Sequence, residues 1–342
     1  MSMRSELGEG PAIVEGLLDG ALGQVRALAR DIAARDIDLV VIAARGTSDH
    51  AALYGQYILG ARNRLLVAPA APSLVSLYGA VPRLRNALVL GISQSGRSPD
   101  VVGVIEESRR QGALTAAITN DPSSELALAA DHLIALEAGP ELAVAATKTY
   151  LAEIAVLAML SAALSGDEAS EEQLRALPAA LRASLETEAE VAKLAGARAG
   201  DDECAILARG FHYATAREWA LKLKELAYVF ADPYSAADFQ HGPIALVHPG
   251  LSVLGVATTG PALSGMTEIL NRVREGHARL LVLSDDAAVC RLGDGVLLPN
   301  VPEWLSPLVA IIPAQLFAYH LARARGLDTE APRNISKVTR TL

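Results

Sequence analysis

Three serines, a glutamine and two glycines fall within eight consecutive positions, Gly91-Ile92-Ser93-Gln94-Ser95-Gly96-Arg97-Ser98. An apolar run, Ala87 to Ser93, leads into them, and a helix-length stretch from Ser98 to Gln111 follows. Pro99 suits the first turn of that helix. Free backbone N–H groups at a helix N-terminus point outward, and the helix dipole there favours an anion. The serine hydroxyls add further donors. The chemistry is the binding of a phosphate monoester by Ser93, Gln94, Ser95 and Ser98. The plain alternative is a strand-to-helix turn capped by Ser98. The stretch also nearly fits G-x-x-x-x-G-K-[ST], but Arg97 stands where the lysine that reaches the β and γ phosphates belongs. A single phosphate fits better than a nucleotide.

A second hydroxyl turn, Gly46-Thr47-Ser48, follows the apolar run Leu39 to Ala44. In an open parallel sheet, ligands bind outside the carboxyl ends of the strands, so both turns are expected on one edge. A simple helix cap by Thr47 or Ser48 serves equally well for that turn alone. Proton-transfer candidates lie further on. Glu218, Lys222 and Glu225 stand at i, i+4 and i+7 of a helical run from Ala214 to Tyr228, which places them on one face. Such charge runs usually mean a solvated face. Here Trp219, Leu221, Leu223, Leu226 and Tyr228 surround them, so part of this face is expected to be buried. A carboxylate placed there can take and return a proton. His241, in Gln240-His241-Gly242-Pro243, reads by itself as a structural turn histidine, with no His or Cys partner at metal spacing. Pro332-Arg333-Asn334-Ile335-Ser336-Lys337 reads by itself as a polar tail.

These groups need elements to hold them. Runs Leu39–Ala44, Ala87–Ser93, Leu114–Thr119 and His132–Ala138 read as buried strands, and Ser98–Gln111 and Ala146–Leu164 as helices between them. That alternation is α/β, a parallel sheet with helices on both faces. The pattern then repeats. Ala44-Arg45-Gly46, Leu90-Gly91, Gly96 and Asp121 recur as Ala208-Arg209-Gly210, Leu254-Gly255, Gly260 and Asp285, all 164 positions later. Four landmarks at one offset point to a duplicated domain. The second copy has Ala257-Thr258-Thr259-Gly260 in place of the serine turn, so the phosphate is expected in the first copy. The expected layout is a first domain at 1–165, a helical connector at 166–200, a second domain at 201–325 and a tail at 326–342.

Composition narrows the function classes. The 342-residue chain is 51% hydrophobic but only 4% aromatic, and carries a net charge of −9. An acidic chain of this kind argues against a nucleic-acid or anionic-membrane surface. A locally positive site for an anionic small molecule is still compatible. Cys204 and Cys290 sit in apolar, strand-like runs and read as buried reduced thiols of a cytoplasmic protein. Residues 1–10 carry Glu6 and Glu9 and no apolar segment, so they do not read as a signal peptide. Trp304–Ala322 lacks Asp, Glu, Lys and Arg, but Pro307, Pro313, Gln315 and His320 favour a buried helix over a membrane span.

Taken in order, Gly46-Thr47-Ser48, Ser93-Gln94-Ser95-Gly96, Val144-Ala145-Ala146-Thr147-Lys148, Ala220-Leu221-Lys222-Leu223-Lys224-Glu225, His241-Gly242-Pro243 and Pro332-Arg333-Asn334 resemble a known family. The chain is similar, from about Glu9 to Lys337, to the isomerase part of glutamine–fructose-6-phosphate aminotransferase, built from two tandem SIS (sugar isomerase) domains. The resemblance implies that Ser93, Gln94, Ser95 and Ser98 hold the substrate phosphate. Thr47 and Ser48, with the backbone around Val144 and Ala146, line the sugar. Glu225 matches the base that moves a proton between C1 and C2, and Glu218 and Lys222 border the site. His241 matches the ring-opening histidine, which the family draws from the neighbouring subunit, and Lys337 matches the lysine of a closing tail. A homodimer with shared active sites, and no metal, nucleotide or redox cofactor, are implied.

The family synthase carries an N-terminal glutaminase domain, whereas this sequence opens directly on the SIS-like region. The expectation is therefore breakdown of an amino-sugar 6-phosphate: glucosamine 6-phosphate to fructose 6-phosphate and ammonia. Ala146 stands where the synthase usually has serine, and Gly10 where glutamine is common, which leaves the substrate open. A fructosamine-6-phosphate deglycase and an aldose–ketose isomerase use the same groups. A sugar-phosphate sensor is the reading from another class. Against it stand Glu225 and His241, which a pure binder does not require, and the shortness of the stretch before residue 39, too little for a full DNA-binding domain.

Overall fold

The computed structural model describes residues 2–80 and 82–337. Among the described residues, ten strands form two sheets of five, with every pairing parallel. The first holds β1 (Leu39–Ala43), β2 (Leu66–Pro69), β3 (Ala87–Ile92), β4 (Leu114–Thr119) and β5 (His132–Ala135), in the order β2-β1-β3-β4-β5. The second holds β6 (Glu203–Ala208), β7 (Phe230–Ser235), β8 (Ser252–Val256), β9 (Arg279–Ser284) and β10 (Asp294–Leu297), in the order β10-β9-β8-β6-β7. Read from its other end, the second order is the first order repeated. The 164-residue offset is thus a duplicated topology, two α/β domains with helices flanking each sheet.

Two glycines show why the repeat keeps its landmarks. Gly91 pairs with Ala43, and Gly255 pairs with Leu207 in the matching register. A Cβ on Gly91 would meet Leu126 Cδ1 at 2.7 Å, and one on Gly255 would meet Leu270 Cδ2 at 2.8 Å. Each glycine lets a leucine lie directly on its strand. β3 and β4 are buried at every residue, which explains their unbroken apolar runs.

The contacts divide the chain into two compact units. One contains the residues up to Gly8, Leu142–Thr147 and Leu177–Ile335, and so the second sheet. The other contains Glu9–Glu141, Lys148–Ala176 and the chain from Ser336, and so the first sheet. Residues 166–200 are largely helical, in Glu168–Leu185 and Glu188–Gly196. Helices Lys148–Ser165 and Ser306–Ala324 are apolar enough to cross a membrane, yet both are mostly buried within the protein. The Trp304–Ala322 stretch is therefore core material.

Three local expectations change. β5 stops at Ala135 rather than Ala138: the Leu136 N to Thr119 O bond is the last of the ladder to β4, and Glu137 then takes a left-handed φ of 47°. Cys204 lies buried in β6, but Cys290 is only partly buried and ends a short helix, Ala287–Cys290. The Asp286 carboxylate starts that helix by accepting the Ala288 and Val289 amides. The charged run Ala214–Tyr228 is not one α-helix. It is an α-helix, His212–Lys222, followed by a π-turn, Leu223–Ala227.

Candidate active site

The serine turn belongs to the unit with the first sheet. It runs from the end of β3 to the helix Pro99–Arg110, at the carboxyl edge. Ser93 N donates to Ile118 O of β4, and Asn120 N donates to Gln94 O, which anchors the turn to the sheet. Gly96 has φ 63°, and a Cβ on it would lie 2.0 Å from Ser124 Oγ. Only glycine fits there. Ser98 is the N-cap residue of the helix, yet its side chain makes no capping bond. Arg97 pairs with Asp121 at 3.0 Å. Bonds from the Ser123 side chain and amide, then from Arg97, hold the Asp121 carboxyl below its ordinary range. Arg97 is thus tied back, unlike a nucleotide-loop lysine.

Thr47 and Ser48 occupy the next carboxyl edge, after β1, which pairs directly with β3. Arg45 Nε binds Asp100 Oδ2 at 2.6 Å, and Asp100 is 1% exposed in the first turn of the helix that follows the serine turn. This ion pair ties the two hydroxyl turns together. Ser48 is buried and donates to Glu153 Oε1 at 2.8 Å. In the same unit, Lys337 Nζ donates to the buried Glu141 carboxylate at 2.7 Å, which also accepts the Thr149 amide and hydroxyl.

The other unit holds the Glu218–Lys222–Glu225 cluster. Lys222 and Glu218 are both 0% exposed, with Lys222 Nζ 3.3 Å from Glu218 Oε1. The same ammonium lies 2.6 Å from Glu225 Oε2, and the Glu225 side chain keeps 22% of its surface exposed. Burial opposes the charge on Lys222, but the two carboxylates together outweigh it and hold its pKa above the ordinary lysine value. The π-turn widens the helix at this point, a form often found at functional sites. Glu225 sits within it, and Tyr228 closes it in the left-handed region at φ 54°. Arg333 stacks on the Tyr228 ring at 3.8 Å, and its amide donates to the Tyr228 hydroxyl. Val144 and Ala146 follow a segment whose Leu142 and Ala143 amides donate to the fully buried Glu6 carboxylate. His241 is exposed, after the short helix Ala236–Gln240, and makes no hydrogen bond to Glu225 among the described residues.

The Thr258-Thr259 turn of the second copy differs sharply from the serine turn. Asp285 accepts both the amide and the hydroxyl of Thr259, at 2.7 and 3.2 Å. The Glu303 carboxylate lies where a Cβ on Gly260 would go, and burial raises its pKa. His212 Nε2 meets Thr258 Oγ1 at 2.8 Å and Ser306 Oγ at 2.7 Å, and burial pushes its pKa down to about 3. Asp285, Glu303 and His212 thus engage this turn, whereas in the first copy Ser93 and Ser95 accept the Gly96 and Arg97 amides and the Ser98 side chain makes no capping bond.

The SIS domain model matches this chain twice, over residues 35–163 and 201–325. The chain belongs to the SIS domain family. Among its relatives, the glutamine–fructose-6-phosphate aminotransferase (isomerizing) of Gloeobacter violaceus is 34% identical over 355 residues, covering 98% of this chain and 58% of that protein. The chain thus spans little more than half the length of that relative. A crystal structure from Silicibacter pomeroyi DSS-3, assigned provisionally to the phosphosugar isomerases, matches with a TM-score of 0.85 at 35% identity, over 96% of this chain and all of that one. The glucosamine-6-phosphate deaminase structure from Thermotoga maritima matches with a TM-score of 0.80 at 21% identity, over 99% of both chains, which shows the shared SIS fold.

Sequence reading of this SIS chain missed Glu6, Asp100, Glu141 and Glu153. All four are buried carboxylates that hold a turn or a hydroxyl. Pro140-Glu141 and Pro302-Glu303 echo each other near the repeat offset, which was the one signal for Glu141 and Glu303.

Proposed function

We propose that this protein converts an amino-sugar 6-phosphate to a ketose 6-phosphate and ammonia, with glucosamine 6-phosphate as the first candidate substrate. The observation that carries the reading is the Glu218–Lys222–Glu225 cluster, whose one partly exposed member is Glu225. A carboxylate fixed by a buried ammonium and open to a ligand is suited to carrying a proton between adjacent carbons. The hydroxyl-rich turn Ser93–Ser98 supports a phosphate monoester as the handle that orients the sugar. The names of the relatives point to hexose 6-phosphates and their amino derivatives.

In this mechanism Ser93, Gln94, Ser95 and Ser98 bind the phosphate, and Thr47, Ser48 and the Val144–Ala146 backbone line the sugar. His241, supplied across a homodimer, assists ring opening. Glu225 takes the proton from C2 and returns it to C1, which gives the imine of the ketose. Water then adds to the imine carbon and ammonia leaves. Lys337 closes the tail over the sugar. Binding energy at the phosphate serves catalysis at the distant C1–C2 bond.

The test is ammonia release from glucosamine 6-phosphate, with fructose 6-phosphate followed in a coupled assay. Equal amounts of both products are expected. Tight binding of the sugar phosphate with neither product formed would overturn the deaminase reading.

A further inference from the structure

The π-turn Leu223–Ala227 carries Glu225, and its end needs support from outside the helix. Tyr228 N and Val229 N both donate to the one carbonyl of Leu223. Tyr228 then takes φ 54°, which a residue with a large side chain keeps only where its surroundings hold it. The last carbonyls of a helix have no partner within it, and Ala227 is buried, so a protein donor must meet its oxygen. That donor is Arg325, the residue after the helix Ser306–Ala324. Its Nη1 donates to Ala227 O at 2.9 Å. Its Nη2 donates to Asp201 O and, at 3.3 Å, to Asp202 Oδ1. Asp202 O in turn accepts the amide of Phe230, the first residue of β7, at 2.8 Å. One planar guanidinium thus fastens the end of the turn to the two residues that lead into β6.

We propose that Arg325 is a positioning residue for Glu225: it keeps the π-turn open and so holds the carboxylate where the substrate carbons meet it. The inference rests on the reading of Glu225 as the proton carrier and adds a residue that acts on it only through the backbone. A π-turn accommodates one extra residue, so closing it to α-helical pitch would carry Glu225 around the helix axis by up to about 100°, the angle per residue. Lys222, 2.6 Å away, holds the Glu225 carboxylate directly, and Arg325 holds the chain that carries it. A shift of about 1 Å in a reacting group, caused from a distance, is enough to cost about a hundredfold in rate.

The test uses the full chain and deuterium incorporation at C1 of fructose 6-phosphate in heavy water, with kcat and KM measured separately and the folded fraction read by circular dichroism in the same buffer. Arg325→Met removes every bond of the guanidinium. Its kcat per folded molecule is expected to fall by about ten- to a hundredfold, with KM within about twofold, because the turn is displaced and the substrate-binding hydroxyls are not. Arg325→Lys keeps a charged donor for Ala227 O and is expected to recover most of the rate. If Arg325→Met does not fold, Arg325→Gln, which keeps a neutral donor, is expected to lower kcat about threefold or more at the same KM. A merely structural arginine would lower the melting temperature and leave kcat per folded molecule unchanged, and that result overturns the inference. So does a lysine variant as slow as the methionine one, or a KM that rises as far as kcat falls. If the unmodified chain incorporates no deuterium, it is the reading of Glu225 that fails, a result told apart from the others by the unmodified chain alone.

Discussion

Replacing Lys222 with methionine isolates the energetics of the buried cluster. Lys222 and Glu218 are both 0% exposed and 3.3 Å apart, so removal of the ammonium leaves Glu218 charged in the interior with its ion-pair partner gone. Breaking such a buried pair from one side costs about 3–5 kcal/mol. Glu225 contributes little to that figure, because its side chain is 22% exposed and water can solvate it. The raised pKa of Lys222 means that its stabilising charge is fully present below the unfolded lysine pKa, and is lost only as pH rises through the folded value. Denaturation at pH 7 therefore reports the whole effect. Urea unfolding of Lys222→Met is expected to show a lower midpoint with an unchanged slope. The double variant Glu218→Met/Lys222→Met is expected to recover most of the loss, since an apolar pair of similar volume replaces a buried ion pair at little cost. A loss below about 1 kcal/mol in the single variant, or a double variant no more stable than the single, would refute the reasoning.

Two further outcomes follow from the turns. Gly96→Ala forces a Cβ to within 2.0 Å of Ser124 Oγ at a φ of 63°. It is expected to lower stability by about 1–3 kcal/mol and to weaken inorganic phosphate binding, measured by melting and calorimetry. His212, whose pKa is pushed down to about 3 by burial, is neutral in the folded state while the unfolded chain takes up a proton below pH 6.5. Stability is therefore lost as pH falls from that value, by about 2 kcal/mol from this group at pH 5, and His212→Gln should flatten the urea midpoint over that range.

The strands were legible because buried parallel strands read as unbroken apolar runs, and the duplication was legible because Gly91 and Gly255, at equivalent places in their sheets, each leave room for a leucine from a neighbouring helix. The serine turn was legible from residue types alone. The π-turn was not. Its residues, Leu223-Lys224-Glu225-Leu226-Ala227, are ordinary helix formers, and only packing decides that the backbone widens there. The carboxylates Glu6, Asp100 and Glu153 were also hidden, since each acts on a backbone amide or a side chain far away in sequence. No local pattern marks a partner more than 50 positions distant. The position of Lys337 beside Glu141 was beyond reach for the same reason, although the polar tail itself was evident.

The central claim is that Glu225 carries a proton between C1 and C2 of a hexose 6-phosphate. Its most direct test is deuterium incorporation at C1 of fructose 6-phosphate in heavy water, followed by NMR, which needs no amine and no coupled enzyme. The unmodified chain is expected to incorporate deuterium, and Glu225→Gln, binding the sugar phosphate normally, is expected to be slower by at least about a hundredfold. Exchange by Glu225→Gln at the rate of the unmodified protein would contradict the account.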